Sequence, residues 1–223
     1  MPESHTDRQV NAAPAHRPER VTLAGRYVDV TPIDPAAHGD ALFENIGRPV
    51  HDSLWTYMFD GPFASRAEFD AALRKIAASS DPLYYAIVDR AARTAVGRAA
   101  LMRIDPHNRV IEVGSIVYSA QLQRTRGATE AMYLLATYVF EDLGYRRYEW
   151  KCNALNEPSR TAALRLGFTF EGVFRQHMII KGRNRDTAWY SMLDSEWPER
   201  KARFERWLAP QNFDAAGRQR ERL

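Results

Sequence analysis

The chain has 223 residues, 45% of them hydrophobic and 11% aromatic, which suits one α/β domain with a real core and excludes a disordered chain. Its 31 basic and 28 acidic residues nearly balance, giving a formal charge of +3 and no strong footprint for nucleic acid. A single cysteine, Cys152, excludes an internal disulfide framework and a cysteine-based zinc cluster. No apolar run reaches the ~18 residues of a membrane span, and no apolar leader core is visible, so cytoplasm is the expected compartment.

Residues 1–20 hold three prolines and almost no large apolar side chains, and are expected to form a flexible tail. Arg26–Val30 alternates as a first strand, and Asp34–Ile46 reads as a helix capped by Asp34 with Pro35 in its first turn. His51–Phe63 is rich in aromatic residues and fits either an acceptor pocket or a roof over the core. Ser65–Ala78 is a second helix with a capping-box pattern at Ser65 and Glu68. Leu83–Val88, Ala95–Ile104 and Arg109–Tyr118 follow as an antiparallel meander.

Gln123–Ala131 is a basic turn that opens a helix over Ala128–Leu143, with Met132, Leu135, Val139 and Leu143 at helical spacing. Amides at a helix start lack internal partners, and the helix dipole favours an anion there. Arg124 and Arg126 add two positive charges, so a phosphate or pyrophosphate is the natural guest. The plain alternative is a solvated strand-to-helix connection.

Arg146–Cys152 is the next strand, and Asn156–Leu166 a short helix with Asn156 as cap and Pro158 in its first turn. Phe168–Ile180 and Thr187–Leu193 read as strands flanking a hairpin turn over Lys181–Asp186. Trp197–Leu208 is a charged helix, free to pack on its own domain or on a second copy in a homodimer, and Pro210–Leu223 is a polar tail. This order predicts an α+β fold of three layers. Its mixed, mostly antiparallel sheet of seven strands splays at a central parallel pair and is flanked by helices.

Gln-x-x-x-x-Ala from Gln123 to Ala128, then Thr129-Glu130-Ala131, Asn156-Glu157-Pro158-Ser159 and Leu166-Gly167-Phe168, resembles the GNAT acetyltransferase superfamily. The branch is the one similar to ribosomal-protein N-terminal acetyltransferases. The resemblance covers roughly Val21–Trp197, leaving residues 198–223 as a C-terminal addition. It departs at Arg126, which stands where the family pattern has glycine, with Gly127 one step later. The resemblance implies acetyl-CoA as co-substrate and an amine acceptor, a protein α-amine before a small molecule. It places the pyrophosphate over Arg124, Thr125, Arg126, Gly127, Ala128 and Thr129. The pantetheine arm falls along the strand at Val117 and Tyr118, with Asn153 and Asn156 contacting it.

Acetyl transfer needs a base for the amine and a partner for the leaving thiolate. Glu112, in an apolar strand two residues before Gly114, is the first candidate base. Its alternative is a strand glutamate paired with Arg98 or Arg103. Ser159 is the family's candidate for assisting the thiolate; the alternative is a helix serine bonding a carbonyl. Tyr190 as acid, His177 as second base and Cys152 as nucleophile are weaker, because each type is more often structural in such a strand. No ligand-spaced His, Cys or Glu cluster occurs, so no metal is expected, and neither is a nucleic-acid or membrane partner. An acyl-CoA-binding sensor that keeps the fold without turnover is the competing function.

Overall fold

The computed structural model describes residues 9–215 and 217–223. Among them, one sheet contains eight strands in the order β1-β2-β3-β4-β5-β6-β8-β7. These are β1 (Leu23–Ala24), β2 (Val28–Pro32), β3 (Leu83–Asp89), β4 (Thr94–Asp105), β5 (Val110–Tyr118), β6 (Arg147–Asn153), β7 (Thr169–Ile180) and β8 (Arg183–Leu193). Every pair is antiparallel except β5 with β6. The expected mixed architecture is present with eight strands in place of seven. The added strand is β1, whose two residues are too few to leave an alternation signal.

The helices are α1 (Pro35–Leu42), α2 (Arg66–Ala77), α3 (Arg126–Thr137), α4 (Glu157–Arg165) and α5 (Trp197–Leu208). Three start on side-chain caps that the sequence announces: Asp34 accepts from Ala36 N–H, Ser65 from Glu68 N–H and Asn156 from Ser159 N–H. α1 and α3 stop short of their expected ends and continue as wider π-type turns at Phe43–Gly47 and Tyr138–Asp142, which keep Ile46 and Val139 buried. The β7–β8 turn is tighter than the expected Lys181–Asp186. Only Lys181 and Gly182 turn, both at positive φ, and Arg183, Asn184 and Arg185 already pair with β7.

Alternation along β3 shows the layers. Leu83, Tyr85 and Ile87 face a cluster with Met132 and Leu135 of α3, whereas Tyr84, Ala86 and Val88 face Leu42, Phe69 and Leu73 of α1 and α2. α5 packs on its own domain, with Trp197 stacked on Phe140 at 5.3 Å and Phe204 beside Tyr133 at 5.7 Å. Of the stretch read as a tail, residues 1–8 lie outside the described residues. Farther on, Ala15 N–H donates to Pro106 O and Glu19 N–H to the Tyr138 hydroxyl, so this segment lies against the body.

Candidate active site

β5 and β6 pair only from Val110 with Arg147 to Val113 with Trp150; beyond that the strands part. β5 also bulges there. Arg98 pairs with Val117 and Ala100 with Gly114, so β5 carries one residue more than β4, and Ser115 takes φ +51. A Cβ on Gly114 would stand 2.6 Å from Met102 Sδ and 3.2 Å from Glu112 Oε1, so any side chain here would press on both. The resulting cleft is walled by Glu112–Ile116 on one side and by Trp150–Asn153, Asn156 and Ser159 on the other. Val117 and Tyr118 lie just past the lining residues. Val117 is buried, and the Tyr118 hydroxyl donates to Ala128 O, burial pushing its phenol pKa well up.

Glu112 is 3% exposed and its Oε2 accepts from Arg103 at 2.7 Å and Lys151 at 3.0 Å. The ion pair with Arg103 weighed from the sequence exists, and Oε1 remains turned toward Gly114 and the cleft. Lys151 also bonds Glu149 at 2.6 Å and stands 3.9 Å from the Trp189 ring. Glu149 continues to Arg147, and Arg147 to Glu171. Lys151 was missed in the sequence, although the alternation of Arg147, Glu149 and Lys151 placed all three on one face of the strand.

Ser159 lines the opposite wall, where its hydroxyl oxygen accepts from Trp150 Nε1 at 3.0 Å. The hydroxyl also neighbours the Cys152 sulfur. Asn156 Oδ1 accepts from the Ser159 N–H, so its cap role holds, and Asn153 Oδ1 accepts from the Leu155 N–H in the loop; both residues line the cleft, and neither side-chain NH₂ has a protein acceptor among the described residues. Cys152 is buried and bonds Ser159, and burial pushes its thiol pKa up, so it holds little nucleophilic thiolate. Tyr190 is a core ring at 1% exposure, and His177 is exposed on β7, outside the cleft, bonded to Thr187.

The aromatic segment divides its labour. Trp55 is buried with its indole N–H on Ile46 O and Phe63 against it at 4.9 Å, whereas Tyr57, Met58 and Phe59 line the cleft. The segment is fastened by Asp60, whose two oxygens accept from Arg98 at 2.8 Å, and by Lys181, which donates to Trp55 O and Asp60 O. The β7–β8 tip is thus tied to this segment.

Beyond the end of β5, Thr125 caps α3 by accepting from Ala128 N–H and donating to Leu122 O. The Arg126 and Gly127 amides are the first of the helix and have no acceptor among the described residues. Gly127 is needed for close packing, since a Cβ there would meet Val28 Cγ1 at 2.7 Å. The positive φ falls on Arg124 at +60, and Arg126 simply begins α3. Its guanidinium lies between Tyr27 at 4.6 Å and Phe213 at 4.9 Å, so of the two arginines expected to hold phosphate only Arg124 is uncommitted. Arg165 from α4, unmarked in the sequence, reaches Thr129 at 3.1 Å in the first turn of α3, and burial lowers its pKa. Among the described residues no group of three His, Cys, Asp or Glu could hold a metal.

A sheet splayed at its parallel pair, a bulged strand beside the gap and a capped helix start beyond it define the acetyltransferase class of α+β proteins. The chain belongs to the GNAT acetyltransferase family, whose domain model matches residues 31–169. It is 52% identical to a crystal structure of a GCN5-related N-acetyltransferase from Brucella melitensis, with 95% of this chain and 96% of that one covered and a TM-score of 0.93. A probable GNAT-family acetyltransferase from Chromobacterium violaceum is 37% identical over 89% of this chain and all of that one, with a TM-score of 0.80. A Bacillus subtilis protein provisionally assigned as a ribosomal N-acetyltransferase, YdaF, is 33% identical over 101 residues, 45% of this chain. That match spans about half, 55%, of the relative's length.

Proposed function

We propose that this protein is an acetyl-CoA-dependent N-acetyltransferase that modifies a primary amine by direct attack, with the α-amine of a protein or peptide favoured over a small-molecule amine. The observation that carries the reading is the cleft beyond Val113 and Trp150, which has Glu112 on one wall and Ser159 on the other. Acetyl-CoA supplies the acetyl group as a thioester, whose carbonyl carbon gains the C–N bond as the C–S bond breaks. Glu112 Oε1 accepts the proton leaving the amine, directly or through water, while Arg103 and Lys151 hold the other oxygen in place. The Ser159 hydroxyl, oriented by Trp150, hydrogen-bonds the departing thiolate and keeps its own proton; the thiolate takes a proton from water, and Glu112 returns the one it took from the amine to water.

The unpaired first amides of α3 and the uncommitted Arg124 suit the pyrophosphate, the unpaired edge of β5 suits the pantetheine amides, and the free NH₂ groups of Asn153 and Asn156 suit its carbonyls. No helix among the described residues is long and apolar enough to cross a membrane. Calorimetric titration with acetyl-CoA tests the reading. Wild type binds, and Arg124→Glu binds about tenfold more weakly, by ~1.4 kcal/mol, as one reversed phosphate contact would give. Absence of binding in wild type overturns the enzyme reading. Binding with no CoA release from any amine assigns the sensor function.

A further inference from the structure

Arg185, on β8, is 6% exposed, and its side chain lines the cleft against the Phe59 ring, 4.9 Å from the ring centroid. Its Nε is buried without a hydrogen-bond partner, and its guanidinium has no ion pair among the described residues. The nearby carboxylates are already taken. Glu112 is held by Arg103 and Lys151, and Glu149 by Lys151 and Arg147. The cleft therefore carries one cation in excess, removed from water and compensated only in part by a ring face. A buried guanidinium in this condition is costly unless a ligand completes it.

On the proposed acetyl-CoA reading, from which this follows, the cofactor's charges lie at its phosphates, at the α3 start beyond β5. Its pantetheine arm and acetyl group are neutral. A negative group inside the cleft must therefore arrive with the acceptor. We infer that Arg185 is a specificity residue that binds a carboxylate of the acceptor, so that the favoured substrates are amines carrying an acidic group. The planar guanidinium fork matches a carboxylate in two parallel bonds, a geometry an amide oxygen cannot reproduce. The aromatic segment His51–Phe63, read from the sequence as a possible acceptor pocket, and the β7–β8 hairpin meet at this contact through Phe59 and Arg185.

The test uses matched acceptors: amino acids against their carboxamides, and peptide amides with Asp or Glu against Asn or Gln at the second position. Wild type, Arg185→Gln and the charge-keeping Arg185→Lys are each saturated with CoA, titrated with the acceptors, and assayed for CoA release from acetyl-CoA. Wild type is expected to prefer the acidic member at least tenfold, chiefly in Kd and KM. The preference collapses to about threefold or less in Arg185→Gln and is partly kept in Arg185→Lys. The pair that shows it tells a free amino acid from an acidic peptide. Equal binding of both members by wild type, or loss of acetyl-CoA binding in Arg185→Gln, overturns the inference. A preserved charge preference without turnover keeps the Arg185 site and rejects the transferase reading.

Discussion

Glu112 and Glu149 stand in register across the parallel β5–β6 pair, and the single ammonium of Lys151 bonds both, at 3.0 and 2.6 Å. Two like charges side by side on a sheet repel, so the lysine is what makes the pair tolerable. From there a row of alternating charge runs from Arg103 through Glu112, Lys151, Glu149 and Arg147 to Glu171, spanning β4 to β7. It crosses the sheet where β5 and β6 are still paired, just before they part, and it holds the proposed base in one orientation.

Lys151→Met should therefore destabilise the fold strongly, on the order of 3–5 kcal/mol, because two buried carboxylates lose their shared partner. Urea denaturation measures it. Adding Glu149→Gln should restore part of the loss, and strictly additive effects would show that the pair is not coupled.

Glu112→Gln keeps the shape of the side chain but cannot take a proton. A fall in kcat of about 10²–10⁴-fold is expected, with acetyl-CoA affinity little altered. Steady-state kinetics with calorimetry would separate the two effects, and full turnover in this variant would remove Glu112 as the base.

Glu171 has a carboxyl pKa held below its ordinary 4.5 first by the Arg147 hydrogen bond and then by the Ser191 hydroxyl. A folded pKa below the unfolded one means that the carboxylate stabilises the protein above about pH 4.5 and that this contribution is lost as pH falls through the folded value. The stability gap between wild type and Glu171→Gln should be full at pH 6–7 and close in acid. A gap constant with pH would assign the loss to packing.

Gly127→Ala places a methyl group 2.7 Å from Val28 Cγ1. Overpacking of roughly 1–3 kcal/mol exceeds the roughly 1 kcal/mol that alanine can gain over glycine in a helix, so net destabilisation is expected. The helix start must also shift away from β2, and weaker acetyl-CoA binding by calorimetry is the accompanying sign.

The sequence by itself determined the elements and their order. Caps at Asp34, Ser65 and Asn156, β-branched runs and the helical spacing of Met132 to Leu143 are local signals, written in residues a few positions apart. Glu112 and Ser159 were legible through the same local motifs, and so was a possible Arg103 partner one strand away. What only the tertiary structure decided depends on groups distant in the chain. The alternation of Arg147, Glu149 and Lys151 showed a shared face, but the coupling to Glu112 exists only because the parallel register sets Glu112 against Glu149. Arg126 read as a phosphate ligand until Tyr27 and Phe213, drawn from opposite ends of the chain, enclosed it. Arg185 read as a turn residue, because burial, and with it the excess charge of the cleft, arises only when the 51–63 segment folds over β8. Local propensity is set by neighbours in sequence, whereas desolvation and pairing of charge are set by neighbours in space.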